Sequence, residues 1–80
     1  MLLKIGGHAR EIASDELTFS HIRTTIIDII NEIEKKHNGF KDEILKNDYL
    51  ILKNGTNIGE LNKLDTLVKN NDVIQILPKI

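Results

Sequence analysis

The chain has 80 residues and no cysteine, and we expect one domain, residues 1–80, whose single core has neither a disulfide nor a thiolate site. The net charge of −1 results from 11 basic and 12 acidic side chains, whereas nucleic-acid-binding proteins usually carry a basic patch and a high pI. No apolar stretch approaches the roughly 20 residues that span a bilayer, and we expect a cytoplasmic protein that binds neither nucleic acid nor membrane.

The N-terminal quarter of the chain predicts an antiparallel hairpin. Leu2–Ile5 is a short apolar run that ends at Gly6-Gly7, and residues 16–20 alternate between polar and apolar side chains. A long loop over about residues 8–15 is expected to join the two strands. Gly6-Gly7 lacks the glycine spacing and the following helix of a phosphate-binding loop, and we interpret it as a sharp bend at the strand end.

The clearest helix begins after Thr25, whose hydroxyl is expected to cap the first turn, with Asp28 three residues later. Its apolar side chains recur at the spacing of one helical face, namely Ile26, Ile29, Ile30 and Ile33. Gly39 is placed to end the helix in a left-handed conformation. We expect the isoleucine stripe to contact four residues of the strands: Ile5, Phe19, Ile74 and Ile76.

The C-terminal half predicts one further helical turn and three strands. Residues 40–46 have the pattern of the helical turn, and Asn54-Gly55 is the strongest short signal for a hairpin. The two strands that flank it are expected over Tyr49–Lys53 and residues 56–58. Residues 72–78 form the last strand, which Pro78 ends because proline has no N–H to donate. The last strand alternates, with Ile74 and Ile76 on one face and Val73, Gln75 and Leu77 on the other.

The order of these elements predicts the fold class. Two strands are followed by a helix, a hairpin and a final strand, so one main helix is available to cover one face of a mixed sheet. This arrangement is the β-grasp, or ubiquitin-like, fold of the α+β class.

The polar residues of the chain show no catalytic or metal-binding pattern. The three histidines, His8, His21 and His37, lie too far apart in the sequence for the closely paired ligands of a structural zinc site. Nothing in the spacing of Ser14 and Ser20 places either hydroxyl beside a histidine base. We interpret the histidines as surface or helix-end residues, and we expect no catalytic residue, no metal and no cofactor.

Several short motifs occur in the order and at the spacing of one protein family. Residues 7–13 are similar to its Gly-x-x-Arg-Glu-Ile-Ala segment, and residues 25–28 to its Thr-Val-x-Asp helix start. The later matches are to its Asn-Gly, Leu-Asp-Thr-x-Leu and Gly-Asp-x-Val-x-x-x-Pro motifs, at Asn54-Gly55, residues 64–67 and residues 71–78. The chain therefore resembles the MoaD/ThiS family of ubiquitin-like sulfur carriers, and its Arg-Glu-Ile segment is typical of the MoaD branch.

The resemblance implies a function and partners. In this family an ATP-dependent activating enzyme adenylates the carboxylate of a C-terminal glycine, and sulfur then replaces AMP to give a thiocarboxylate. The resemblance thus implies a sulfur carrier or small protein modifier that is a substrate of enzymes and not an enzyme. The MoaD branch further implies molybdopterin biosynthesis, with the large catalytic subunit of molybdopterin synthase as a second partner.

The family pattern also implies a partner surface and two turns. The partner surface comprises Gly6, Arg10, Val73, Leu77, Pro78 and Ile80. At the first of these positions the family usually has an aromatic residue, which helps to form an apolar patch with the residue before the last proline, here Leu77. The family prefers glycine before Asp72, and we expect Asn71 to adopt a positive φ there. Asp65-Thr66 is expected to fix a bend through side-chain hydrogen bonds.

The C-terminal end leaves two interpretations open. The family sequence continues a few residues past the proline to Gly-Gly, whereas Lys79-Ile80 follow Pro78 here and no glycine follows Gly59. Either the tail continued past Ile80, or the protein is a relative without carrier chemistry. The alternative function is then a tail-less ubiquitin-like module that binds proteins through its sheet. A regulatory β-grasp domain of RNA-associated enzymes is a third possibility, which the near-neutral charge disfavours.

Overall fold

The computed structural model describes residues 1–79. The elements follow the chain as β1 (Leu2–Ile5), α1 (Gly7–Ile12), β2 (Glu16–Thr18), β3 (Arg23–Thr25), α2 (Ile26–Lys36), α3 (Phe40–Lys46), β4 (Tyr49–Lys53), β5 (Thr56–Asn57), β6 (Leu67–Lys69) and β7 (Val73–Pro78). Two 3-10 turns, Ile58–Glu60 and Lys63–Asp65, lie between β5 and β6. Within the described part of the chain, no helix is long and apolar enough to cross a bilayer.

Five strands form a mixed sheet in the order β2-β1-β7-β4-β5. The central pair, β1 and β7, runs parallel, and the other neighbouring strands run antiparallel. The main helix α2 packs its buried side chains into the same core as one face of this sheet. The predicted β-grasp fold of the α+β class is therefore confirmed. A separate antiparallel ladder between β3 and β6 was not predicted from the sequence.

The isoleucine stripe of α2 lies in the core, as predicted. Ile29, Ile30 and Ile33 are each at most 2 % exposed. They share one buried cluster with the predicted strand residues Ile5, Ile74 and Ile76, against which Phe19 packs as a partly buried side chain. Burying one such aliphatic side chain contributes about 1.5–3 kcal/mol. Burial therefore stabilises a helix whose β-branched residues are poor helix formers.

The start of α2 agrees with the sequence prediction, whereas its end does not. The Thr25 hydroxyl accepts a hydrogen bond from the N–H of Asp28 at 3.3 Å. At the other end the N–H of His37 donates to the carbonyl of Ile33 at 2.8 Å, which closes the last turn. Gly39 has a φ of 98°, but it caps the start of α3 and does not end α2.

The carboxylate of Glu34 joins the end of α2 to the start of α3. It accepts the N–H of Lys41 at 2.8 Å and the N–H of Gly39 at 3.1 Å. These two hydrogen bonds lower the pKa of Glu34 below its usual value. A side chain of one helix thus binds the free N–H groups at the start of the next.

A helix occupies the segment that was predicted to be a loop. The prediction of irregular structure over residues 8–15 is wrong, because α1 buries Ala9 completely and packs Ile12 and Ala13 against the core. These three residues recur at i, i+3 and i+4, the spacing of one helical face. The strand after it, β2, ends two residues earlier than predicted, at Thr18.

Two of the predicted turns are confirmed. Asn54 and Gly55 have φ values of 49° and 86°, and positive φ at both positions is the signature of the type I′ turn that joins paired antiparallel strands. The strand that follows is shorter than predicted, because Ile58 begins a 3-10 turn and is buried. In the bend predicted at Asp65-Thr66, the hydroxyl of Thr66 accepts the N–H of Asn62 at 3.1 Å, whereas the Asp65 side chain makes no hydrogen bond within residues 1–79.

The turn before β7 differs from its prediction. Among the residues that the structure describes, the non-glycine residues with positive φ are Asn54 and Lys63, and the positive φ expected for Asn71 is therefore wrong. The carboxylate of Asp72 fixes this turn instead. It accepts the N–H of Lys69 and the side-chain amide of Asn54, both at 2.8 Å. Hydrogen bonds of the Asp72 side chain thus fix the turn without the positive φ that glycine before this residue allows in the family.

Candidate functional site

The face of the five-stranded sheet opposite α2 is mainly apolar and half-buried. Its side chains alternate with the buried ones of each strand, and the central strand β7 presents Val73, Gln75 and Leu77 there. The strand register places Leu50 opposite Leu77 and Leu2 opposite Val73. We call this surface the open face, and it comprises Leu2, Leu50, Leu52, Val73, Gln75 and Leu77, all of intermediate exposure. The exposed Lys4 lies on the same face opposite Gln75, so the surface is mainly but not wholly apolar. A largely apolar surface of this kind is typical of a site that binds another protein.

The backbone at Gly6 lies against the C-terminal end of β7. Its N–H donates to the carbonyl of Ile76 at 2.8 Å. A Cβ atom at Gly6 would lie 3.4 Å from Cδ2 of Leu77 and 3.5 Å from Cδ of Pro78. A larger side chain at this position would therefore contact both residues, and the glycine leaves them accessible at the edge of the open face.

The backbone just after the last strand is held by a hydrogen bond at Lys79. Pro78 is exposed and pairs with Tyr49 at the end of the β4–β7 ladder. The next residue, Lys79, donates its backbone N–H to the carbonyl of Asp48 at 2.9 Å. The segment after the last strand therefore starts beside the loop between α3 and β4, at the rim of the open face.

The structure brings some of the sequence-predicted partner residues together and separates others. Gly6, Leu77 and Pro78 are in mutual proximity, as described above. Val73 lies on the same face but at the opposite end of β7. Arg10 is exposed on α1 and makes no ion pair within residues 1–79. Ile80 lies outside the described residues.

The hydroxyl of Tyr49, on β4, joins this strand to the helices α1 and α3. It donates to Oε2 of Glu43 on α3 at 2.8 Å and accepts the N–H of Ala9 on α1 at 3.0 Å. Burial and the hydrogen bond to the Glu43 carboxylate raise the pKa of Tyr49 above its usual value. The phenol therefore stays neutral, and it positions the α1 segment that carries Arg10.

The histidines are not among the residues of the open face, and two of them lie beside a glutamate. Nδ1 of His8 is 3.0 Å from Oε2 of Glu11, and Nε2 of His21 is 2.9 Å from Oε2 of Glu32. In residues 1–79, no three side chains of the types that bind metals lie close enough to share an ion.

A comparison with protein-family models decides the family. The model of the ThiS family matches residues 3–80, which is nearly the whole chain. This chain belongs to the ThiS family. The resemblance inferred from the short motifs is therefore confirmed, and ThiS-family membership supports a ubiquitin-fold sulfur carrier or modifier. A comparison with curated proteins found no match.

Three solved structures have the same fold as this ThiS-family chain. The small archaeal modifier protein 1 from Methanosarcina acetivorans is 32 % identical, and the match covers 99 % of this chain and 91 % of that chain with a TM-score of 0.79. The HVO 2177 protein of Haloferax volcanii is 19 % identical, with coverages of 99 % and 81 % and a TM-score of 0.79. Urm1 of Sulfolobus solfataricus is 23 % identical, with coverages of 99 % and 100 % and a TM-score of 0.67. At the two lower identities the likeness concerns the fold.

Sequence reasoning missed two residues of this candidate site. Leu50 lies on the open face opposite Leu77, and Tyr49 carries the hydrogen bonds beneath Pro78. The alternation of Tyr49–Lys53 places Leu50 on the face opposite Ile51. The pairing of β4 with β7 was needed to show that this face is the open one.

Proposed function

We propose that this ThiS-family protein is a sulfur carrier or small protein modifier that acts through the chain segment following Pro78. The observation that supports this proposal is the position of Pro78, which ends the central strand at the rim of the open face. The Lys79 N–H is hydrogen-bonded to the carbonyl of Asp48, so the last described residue is held at this rim. A partner bound on the open face would therefore lie close to the point from which the segment begins.

The chemistry proposed for this segment needs no catalytic side chain of the protein. An ATP-dependent activating enzyme joins the terminal carboxylate to AMP and releases pyrophosphate. A sulfur donor then displaces AMP and leaves a thiocarboxylate. The reacting terminus has to be glycine, because a narrow channel admits an extended backbone without Cβ atoms. The protein is thus a substrate of enzymes and not an enzyme.

Within this class, we propose that the chain serves molybdopterin biosynthesis together with the large catalytic subunit of the synthase. The segment Arg10-Glu11-Ile12 on α1 supports this assignment, since it is the motif of the MoaD branch. The similarity to a small archaeal modifier protein supports protein modification as the second use of the same carboxylate. Both uses require the same first partner, the activating enzyme.

Docking on the open face is tested with Leu77→Arg, which places a charge on this face beside Pro78, and with Ile22→Arg as the control. Ile22 is 90 % exposed and lies outside the open face. We expect Leu77→Arg to weaken binding to the activating enzyme of the source organism by about tenfold or more, the loss typical of an apolar contact residue that becomes buried on binding. Isothermal titration calorimetry measures the affinity, and circular dichroism verifies that both variants are folded.

Unchanged affinity of Leu77→Arg would place the docking site elsewhere. Equal weakening by both substitutions would show that added positive charge, and not the open face, determines binding.

A further inference from the structure

A second surface with the features of a binding site lies between the edge strand β2 and the helix α2. It is a groove of about 120 Å³ whose floor is formed by Leu17, Phe19 and Ile33. Lys36 and His37, at the end of α2, line its rim. These residues belong to the helix-covered side of the sheet, so the groove is separate from the open face.

The backbone of β2 has hydrogen-bonding groups that face away from the sheet. β2 is an outermost strand, and its pairing with β1 shows which residues bond inward. The N–H of Phe19 donates to the carbonyl of Met1 at 3.0 Å, and the N–H of Ile5 donates to the carbonyl of Asp15 at 2.9 Å. Because successive residues of a strand alternate, the backbone groups of Glu16 and Thr18 point outward.

The outward backbone groups of Glu16 already have a hydrogen-bond partner. The Ser14 hydroxyl donates to the carbonyl of Glu16 at 3.1 Å and lies 3.4 Å from its N–H. Thr18 makes no such contact among residues 1–79 and also lines the groove. The open edge and the apolar groove therefore meet at Thr18, the position at which an added strand could form hydrogen bonds and insert side chains together.

Two charged side chains line the groove, Glu32 and Lys36, and they differ in their partners. The Glu32 carboxylate on its rim is engaged by the His21 ring at 2.9 Å. Lys36 has no acidic partner within 4.0 Å in the described part of the chain. We propose that an extended peptide with alternating aliphatic side chains, followed by acidic residues, adds to the edge of β2 at Thr18 and places its acidic end beside Lys36 and His37. This site does not depend on the tail or on the activating enzyme, and it leaves the open face free.

The test uses the synthetic peptide Val-Ile-Val-Ile-Asp-Asp-Glu with blocked ends, titrated into ¹⁵N-labelled protein and followed by NMR. We expect chemical-shift changes confined to Thr18 and its neighbours in β2 and to residues 32–37. An analogue with methylated backbone nitrogens on its four aliphatic residues should not bind, because it cannot form a ladder. Thr18→Pro should abolish binding, since it removes an outward donor at an edge position that tolerates proline.

The charge contribution has a matched control on the same helical turn. Lys36→Glu should weaken binding of the acidic peptide about two- to fivefold, the range for an exposed charge contact. Lys35→Glu changes the net charge equally, but Lys35 does not line the groove, and it should leave the affinity unchanged.

Four results would overturn the proposal. They are the absence of shifts at millimolar peptide, shifts centred on Val73 and Leu77, equal weakening by Lys35→Glu and Lys36→Glu, and shifts at Thr18 that depend on protein concentration without peptide. The last of these would show that a second copy of the chain occupies the groove.

Discussion

Gly7 and Pro78 pack so closely that a Cβ atom on Gly7 would lie 3.0 Å from Cγ of the proline ring. Gly7 also has a φ of +66°, a conformation that residues with a Cβ rarely adopt. The first residue of α1 and the last residue of β7 thus fix each other. This contact connects the Arg10 segment to the point where the chain leaves the sheet.

We therefore predict that Gly7→Ala lowers the free energy of unfolding by roughly 2–4 kcal/mol, the sum of left-handed strain and a steric clash. Gly55→Ala is the matched control, because Gly55 has a φ of +86° and no atom within 4 Å of the added Cβ. In the control the free energy of unfolding should fall only by the cost of the left-handed strain, roughly 1–2 kcal/mol. Urea denaturation measures both values, and equal losses would mean that Pro78 moves away without penalty.

The core contact of α2 gives a second prediction. Ile30 is 1 % exposed, and we expect Ile30→Ala to lower stability by about 2–5 kcal/mol through lost burial and a residual cavity. The same substitution at Ile22, which is 90 % exposed, should change stability by less than about 0.5 kcal/mol. Thermal and denaturant unfolding of the two variants provide the comparison. Similar values for both would show that the helix face is assigned wrongly.

The hydrogen bonds of Asp72 predict an acid-dependent loss of stability. Desolvation raises the pKa of Asp72, but the Lys69 N–H, the Asn54 amide and the Lys53 ammonium outweigh it and lower this pKa below its usual value of 3.8. The unfolded chain therefore takes up the proton first, so the stabilisation is present above pH 3.8 and is lost as the pH falls through the lower folded-state value.

The measurement compares Asp72→Ala with the native chain at pH 7 and near pH 2. The Asp72 side chain is 15 % exposed, and its removal at pH 7 should lower stability by about 1.5–3 kcal/mol, as for hydrogen bonds to a charged group. The difference should shrink in acid. Asp42→Ala, which removes a carboxylate that is 74 % exposed, serves as the control and should change little. A difference for Asp72→Ala that is constant across this pH range would contradict the assigned role.

The fold was predictable where local signals and long-range packing agree. The stripe from Ile26 to Ile33 has one period over the whole helix, and the alternation of β7 identified Ile74 and Ile76 as core residues. Both patterns depend on neighbours in the sequence, and burial selects the same faces. The Asn54-Gly55 turn is similarly encoded by the two residues that form it.

The remaining features depend on contacts between distant residues. The pairing of β3 with β6 joins Thr24 to Val68, and neither three-residue strand has a pattern of its own. The helix α1 has only two turns, and its stability depends on the burial of Ala9. The family pattern predicted a positive φ at Asn71. The structure does not have it, because the Asp72 carboxylate fixes this turn by accepting the N–H of Lys69.

The most direct test of the proposed carrier function compares two polypeptides, residues 1–80 and the same chain extended by Ser-Gly-Gly. Each is incubated with ATP and the activating enzyme of the source organism, and pyrophosphate exchange and the mass change from oxygen to sulfur are followed. We predict that only the extended form is adenylated and converted, because the bulky carboxyl-terminal isoleucine cannot enter a channel built for glycine. Equal activation of the 80-residue form would contradict the steric argument. Activation of neither form, with binding through Leu77 retained, would contradict the carrier function and leave a tail-less binding module.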